Sequence, residues 1–407
     1  IIDGTGSAPQ RDHAVVVEGG RIEWVGRAAD LSGDPARAEV IDAPDCTLLP
    51  GLIDGHVHLM CPAERCAAET YLAASDEQLL VRAVAKAQAG LHAGVTTMRD
   101  LGSRNFLLLA LRDAINAGQL SGPRLILAGP ALTRRGGHFH YLGWEADSAE
   151  ELSAAVQRVC AAGVDVVKVM ATGGHTTPGS HPLKPQFSAE QLRAAVEQAH
   201  SNGRRLTAHA HGVDGIRNAV EAGVDCIEHC SWLGPDGTAF DPDLGKRIVD
   251  QGICVSPTFG ARSLLSPEEL AAIMPPDEVA RLLRNQGRYQ ATQRMVELGA
   301  RVIASSDAGM AAVHTHEFAK TLEVLVKRVG MSELAAIRAA TSAAAEALDI
   351  AHQTGTIARG KRADLLLVDG DPSRDITALQ RVRCVLRDGR VHRPSPAAAA
   401  EALLPQG

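Results

Sequence analysis

The chain has 407 residues, 45% of them hydrophobic and 22% charged, with a formal net charge of −7. That is the balance of a globular protein long enough to bury a large core, and its acidic excess argues against nucleic acid or an anionic membrane as the main partner. No apolar run reaches the roughly 18 residues of a transmembrane helix, no basic-then-apolar leader opens the chain, and the eight cysteines lack C-x-x-C spacing, so they are expected to be reduced in a cytoplasmic protein.

Ile1-Ile2-Asp3-Gly4-Thr5-Gly6 reads as the inside of a strand and turn. The natural chain is therefore expected to start somewhat earlier, which leaves a removed leader open. Val15 to Val25 reads as strand, Gly19-Gly20 turn, strand. Short apolar runs then follow near Leu48–Ile53, Val95–Arg99, Arg124–Ala128, Val164–Met170, Arg205–His209, Cys226–His229, Ile253–Ser256 and Val302–Ser306. Helix-period segments separate them. Asp76 to Leu91 carries apolar Leu79, Leu80, Ala83, Val84 and Ala87, and Ser188-Ala189-Glu190-Gln191 is a helix start with a capping-box glutamine.

This alternation predicts an α/β protein, a closed (β/α)8 TIM-type barrel over 48–351. The rival is a doubly wound open sheet, but no G-x-G-x-x-G follows the first strand. Asp364 to Val368, and Val382 to Val391 with a turn at Asp388-Gly389, are strand-like without helices between them. The two ends, 1–47 and 352–407, are expected to pair into one small β-sandwich. The Pro/Ala-rich tail after Arg393 reads as loosely ordered or a short helix.

Chemistry enters at Pro50-Gly51-Leu52-Ile53-Asp54-Gly55-His56-Val57-His58. Residues at i and i+2 of a strand share a face, so His56 and His58 aim two imidazoles at one point, which suits a zinc-type divalent ion. Further candidates sit on or at the ends of later strand runs: Lys168, His209, His229 and Asp307. Each alone is weak; a lone barrel lysine is often half of an ion pair, and an aspartate at a strand-to-helix junction is often an N-cap.

Together these residues, with Ser306-Asp307-Ala308-Gly309, Gly355-Thr356-Ile357 and Gly360-Lys361-Arg362-Ala363-Asp364-Leu365, resemble the metal-dependent amidohydrolase superfamily over nearly the whole chain. Val167-Lys168-Val169-Met170-Ala171-Thr172-Gly173-Gly174 and Arg99-Asp100-Leu101-Gly102 resemble its prolidase-like and ochratoxin-amidohydrolase-like branch. The resemblance implies two divalent ions, zinc by preference with cobalt or manganese as alternatives. His56, His58 and Asp307 would hold one ion, and His209 and His229 the other. Lys168, carboxylated by carbon dioxide, would bridge them together with a hydroxide. It also implies attack of that hydroxide on an amide or peptide-like carbonyl of an N-acyl amino acid, dipeptide or xenobiotic amide or carbamate. Asp307 would carry the proton to the leaving group. Oligomers are common in such a family, and a homo-oligomer is expected.

In several prolidase-like members a tyrosine stands where this chain has His211, in Ala208-His209-Ala210-His211-Gly212. A histidine there is expected to polarise the carbonyl, and the swap puts prolidase specificity in doubt. His138, in Gly136-Gly137-His138-Phe139-His140 after the third strand, is a second candidate for carbonyl or substrate contact, with His140 as competitor and Arg134 and Arg135 as carboxylate partners. Cys230, beside His229, has a minor claim to line the site. His314-Thr315-His316, His175 and His181 read chiefly as loop residues, and His92 and His200 as structural. The loops Leu132 to Glu145, Thr172 to Phe187 and Phe259 to Asn285 should set specificity, the last as a lid. The alternatives are a mononuclear enzyme of the imidazolonepropionase or deaminase type, acting on a cyclic C–N bond without the bridging lysine, and a non-catalytic scaffold.

Overall fold

In the computed structural model, which describes residues 1–32, 38–63 and 67–393, apolar runs form strands and the amphipathic segments between them form helices. The tail after Arg393 lies outside the described residues. Leu52–Val57 pairs in parallel with Val95–Asp100, and that strand with Arg124–Leu127. Val166–Met170 pairs with Arg205–Gly212, which pairs with Cys226–Gly234, which pairs with Cys254–Ser256, again all parallel. Two seams connect these sets. At one, the Asp165 backbone N–H donates to Leu127 O (2.8 Å), and Asp165 Oδ2 accepts from the Leu127 N–H (3.0 Å). At the other, Ile303 N–H donates to Val255 O (2.9 Å) and Gly55 N–H to Ala304 O (3.0 Å). The hydrogen-bonded succession thus returns to its first strand.

Every residue of Leu52–Val57, Val95–Asp100 and Val166–Met170 is buried, as expected of parallel strands covered on both faces. Helices Asp76–His92 and Ala189–Ser201 both open on capping boxes, Ser75 with Gln78 and Ser188 with Gln191. The first buries Leu79, Ala83, Ala87 and Leu91, one apolar stripe facing inwards.

Two strand expectations change. The run from Leu48 to Ile53 is not one strand: Cys46–Pro50 pairs antiparallel with Leu365–Asp369, and Leu52–Val57 starts the parallel set. Gly51 makes the crossing, and a Cβ there would stand 2.2 Å from the Thr96 side chain. An unbroken apolar run hides this handover because both strands are buried. The run Val302–Ser306 forms single bridges and hydrogen bonds to each neighbour rather than a regular ladder.

The two ends of the described chain meet. The hairpin His13–Glu18 and Arg21–Arg27 turns at Gly19 and Gly20, whose φ values of 56° and 79° belong to a primed turn. Leu365–Asp369, Val382–Arg387 and Arg390–His392 follow as an antiparallel set. Ile22 exchanges backbone bonds with Lys361 (2.9 Å) and Gly360 (2.7 Å), over a small core of Ile22, Ile357, Ala363 and Leu365. Buried Asp364 ties this set to the parallel strands by accepting from Arg124 Nη2 at 2.9 Å. Among the described residues no helix is long and apolar enough to cross a membrane.

Candidate metal centre

A cavity of about 320 Å³ opens where the parallel strands end, and His56, His58, His138, Lys168, His209, His211, His229 and Asp307 all line it. The six proposed metal ligands, His138 and His211 are therefore in one place. His56 Nε2 and His58 Nε2 stand 3.2 Å apart, and Asp307 Oδ1 is 3.5 and 3.6 Å from them. Ligand atoms about 2.1 Å from one tetrahedral ion are separated by about 3.4 Å, so these three atoms fit a single ion. His209, His211 and His229 form a second group whose ring nitrogens lie within 4.8 Å of one another. The His56 and His229 rings are 5.3 Å apart, which brings the two groups side by side.

Burial drives the electrostatics. It lowers the pKa of His56, of His58 (to about 3), and of His209, His211 and His229 well below the ordinary value. All are therefore neutral donors, the form a metal takes. Burial pushes the Asp307 carboxyl up, but His56, His58 and Arg262 outweigh it and hold it below the usual range. Lys168 is 1% exposed, forms no ion pair among the described residues, and is lowered by burial to about 8. The ion-pair reading of this lysine is thus unsupported. His229 and Asp307 both have left-handed backbone, at φ 65° and 62°. Strain of this kind gathers at functional sites. Asp307 caps no helix; its N–H donates to His56 O at 2.9 Å.

Ring orientations are fixed from behind. His56 Nδ1 bonds Glu228 Oε2 (2.8 Å), His229 Nδ1 bonds Thr258 Oγ1 (2.7 Å), and His211 Nδ1 bonds Ser231 Oγ (2.9 Å). Glu228, fully buried, also accepts from Arg99 Nη2 (2.7 Å) and Thr207 Oγ1 (2.5 Å). Sequence reasoning missed Glu228 and Arg99. Their signal was two opposite charges inside central strands, each too costly to bury unpaired.

The loops sort the remaining candidates. His138 is buried against Phe139 (4.3 Å between rings) with Nδ1 on Thr177 Oγ1 (3.0 Å), whereas His140 is exposed and bonds Gly137 O. Of this pair, His138 is the one in the cavity. Arg134 and Arg135 lie outside it, paired with Asp147 on the surface. The cavity's guanidinium groups are instead Arg262 and Arg281, from the segment expected as a lid, and Arg288, just beyond its Asn285 end. Helices carry them, and no spacing in the sequence distinguishes them from surface arginines. His175, expected chiefly as a loop residue, lines the cavity with its ring 5.0 Å from His211. Cys230 packs in the apolar layer behind the strands, and His314 and His316 flank a short turn away from the cavity. A larger cavity, about 600 Å³, lies at the opposite strand ends; it holds none of the candidate ligands, and Arg112 and Asp165 pair with each other there at 3.0 Å.

Comparison with known proteins agrees with this geometry. The amidohydrolase family model matches residues 47–392. Ochratoxinase of Aspergillus niger is 27% identical over 414 residues, covering 95% of this chain and 83% of its own. Imidazolonepropionase of Anaeromyxobacter dehalogenans is 28% identical, covering 95% and 91%. The crystal structure of a Xaa-Pro dipeptidase with methionine bound in its active site matches with a TM-score of 0.84 at 28% identity, over 96% of this chain and 97% of that one. The chain belongs to the amidohydrolase family, in its ochratoxinase- and prolidase-like branch, with an α/β fold whose neighbours are of the TIM-barrel type, and it is a hydrolase acting on carbon–nitrogen bonds.

Proposed function

We propose that this chain is a binuclear metal-dependent amidohydrolase cleaving an amide or peptide-like bond. In this reading the parallel strands form a closed (β/α)8 barrel, and 1–47 and 352–407 a small β-sandwich, with the crossing at Gly51. His56, His58 and Asp307 would hold one ion. His209 and His229 would hold the other, with Lys168, carboxylated by carbon dioxide, as a further ligand. When bound, the ions, zinc by preference, supply an acidified water and Lewis-acid polarisation of the carbonyl.

The chain's own residues do the rest. His138 and His211, both neutral, face the substrate carbonyl; His211 keeps Nδ1 on Ser231 Oγ and so has Nε2 available. The Asp307 carboxylate accepts the proton released in the attack and returns it to the leaving nitrogen. The observation that carries the reading is a pair of clusters, neutral histidines in one and two such histidines with the Asp307 carboxylate in the other, lining one cavity with a buried lysine that forms no ion pair among the described residues.

The test is metal content per chain for the parent protein and a Lys168→Ala variant, beside hydrolysis of N-acyl amino acids and Xaa-Pro dipeptides. About two equivalents of metal, lost together with activity in the variant, is the expected result. One equivalent that survives loss of the lysine would instead favour a mononuclear enzyme of the imidazolonepropionase type.

A further inference from the structure

The cavity has a second chemical character that the metal ligands do not use. Arg262, Arg281 and Arg288 all line it, on three of the four short helices between Ala261 and Glu297, namely Ala261–Leu264, Pro276–Arg284 and Gly287–Glu297. The carboxylates lining it are Asp307, already among the ligand atoms, Glu69, which is exposed, and Glu278, whose Oε2 is 3.9 Å from Arg281 Nη2. Neither Arg262 nor Arg288 has a carboxylate partner among the described residues. Each is held by backbone carbonyls: Arg262 Nη1 donates to Ala311 O (2.5 Å), and Arg288 Nη2 to Pro257 O (2.5 Å) and Thr258 O (2.9 Å). The Arg288 guanidinium lies 4.5 Å over the Phe259 ring, and its Nε is buried without a partner. Burial, with Arg262 and Arg281 near it, lowers Arg288 to about 10.

The position matters as much as the charge. Thr258 holds the His229 ring through Oγ1 and Arg288 through its carbonyl, and Ala311 follows shortly after Asp307. Guanidinium groups anchored to those carbonyls stand beside the ligand clusters. In an N-acyl amino acid or dipeptide the terminal carboxylate is one carbon from the leaving nitrogen, so it falls beside the reacting carbonyl. A half-buried planar donor fork without a carboxylate partner among the described residues suits such a group.

We infer that Arg288 and Arg262, with Arg281, form a carboxylate subsite that selects substrates carrying a free carboxylate on the leaving amine, over neutral carbamates, ureas and carboxamides. The inference rests on the amidohydrolase reading for the chemistry, but not for the binding. Glu278 screens Arg281 in the free enzyme, which leaves Arg288 and Arg262 as the principal contacts.

The probe is a matched pair, 3-phenylpropionate and 3-phenylpropionamide, whose binding to metal-loaded protein is followed by calorimetry. Arg288→Gln and Arg281→Gln variants are measured alongside, with metal content checked in each. The carboxylate should bind at least about tenfold more tightly than the amide in the parent. That preference should fall toward unity in Arg288→Gln and shrink in Arg281→Gln while metal content is kept. Equal affinity for both probes in the parent overturns the subsite, as does a preference that survives in both variants, which would place the carboxylate on the metal. Turnover of N-acetyl-phenylalanine, measured separately, reports on the amidohydrolase reading. Its absence with the preference intact would sink that reading alone.

Discussion

Glu228→Gln isolates the group that sets the tautomer of His56. The carboxylate accepts on three sides, from His56 Nδ1 (2.8 Å), Arg99 Nη2 (2.7 Å) and Thr207 Oγ1 (2.5 Å), with no exposure to water. Burial alone would raise its pKa, but Arg99 and His56 outweigh that and hold it below the usual carboxylate range. Glutamine has the same shape but only one acceptor end. The guanidinium, whose charge is permanent, takes the oxygen. The amide NH2 then faces His56 Nδ1, which must become an acceptor, and the proton moves to Nε2, the atom 3.2 Å from His58 Nε2. That atom no longer ligates. Loss of such a partner costs about 10- to 100-fold in metal affinity, or about 1.4–2.7 kcal/mol. Leaving Arg99 buried without its counter-charge costs about 3–5 kcal/mol of stability. Competition against a chromophoric chelator measures the first and thermal unfolding in chelator the second. A variant with parental metal affinity and parental unfolding midpoint would refute the reasoning.

Further outcomes follow from the same contacts. Gly309→Ala should lose metal and stability together, since φ is +106° and the new Cβ would stand 2.2 Å from His58 O, displacing the strand end that carries a ligand; retained metal content would contradict it. Asp364→Ala removes the buried acceptor of Arg124 and of the Asp388 N–H (2.9 Å each) and should cost about 3–5 kcal/mol on denaturant unfolding, with metal stoichiometry unchanged. Metal uptake by stripped protein should be accelerated by carbon dioxide and, at a fixed partial pressure of the gas, more so as pH rises. Lys168 is lowered to about 8, so the neutral amine that reacts with carbon dioxide falls about tenfold for each pH unit below that value. An effect of carbon dioxide that is flat between about pH 6 and about pH 8 at fixed partial pressure, or that persists in Lys168→Ala, would argue against carbamate formation. His138→Asn should reduce kcat/KM far more than His140→Asn, because only the former side chain lines the cavity.

The site was legible because its candidate ligands come from strand ends, and buried strand ends are conspicuous in sequence. His56 and His58 share a face by the two-residue period, and Lys168, His209, His229 and Asp307 each punctuate an apolar run. What was not legible comes from elements without such punctuation. Arg288 and Arg281 sit on amphipathic helices where an arginine facing the cavity looks like one facing water, so the exposed Arg134 and Arg135 drew attention instead. The split at Gly51 is hidden because side chains on both sides of it are equally apolar, and only the partner strands, far away in sequence, separate them. His138 could be chosen over His140 only through Gln186 and Thr177, which pin its backbone N–H and ring from another loop.

The strand Cys46–Pro50 ends one residue before the strand that bears His56, and its partner is Leu365–Asp369. During synthesis the first proposed metal-binding histidines leave the ribosome early among the candidate site residues, yet the strand beside them lacks its partner until Leu365–Asp369 has emerged. Folding of the centre is thereby timed by its last strands. A ribosome stalled before Leu365 would hold a nascent chain with every proposed ligand made and their anchoring sheet unformed. Such an intermediate is where chaperone engagement, and premature capture of metal, would be decided.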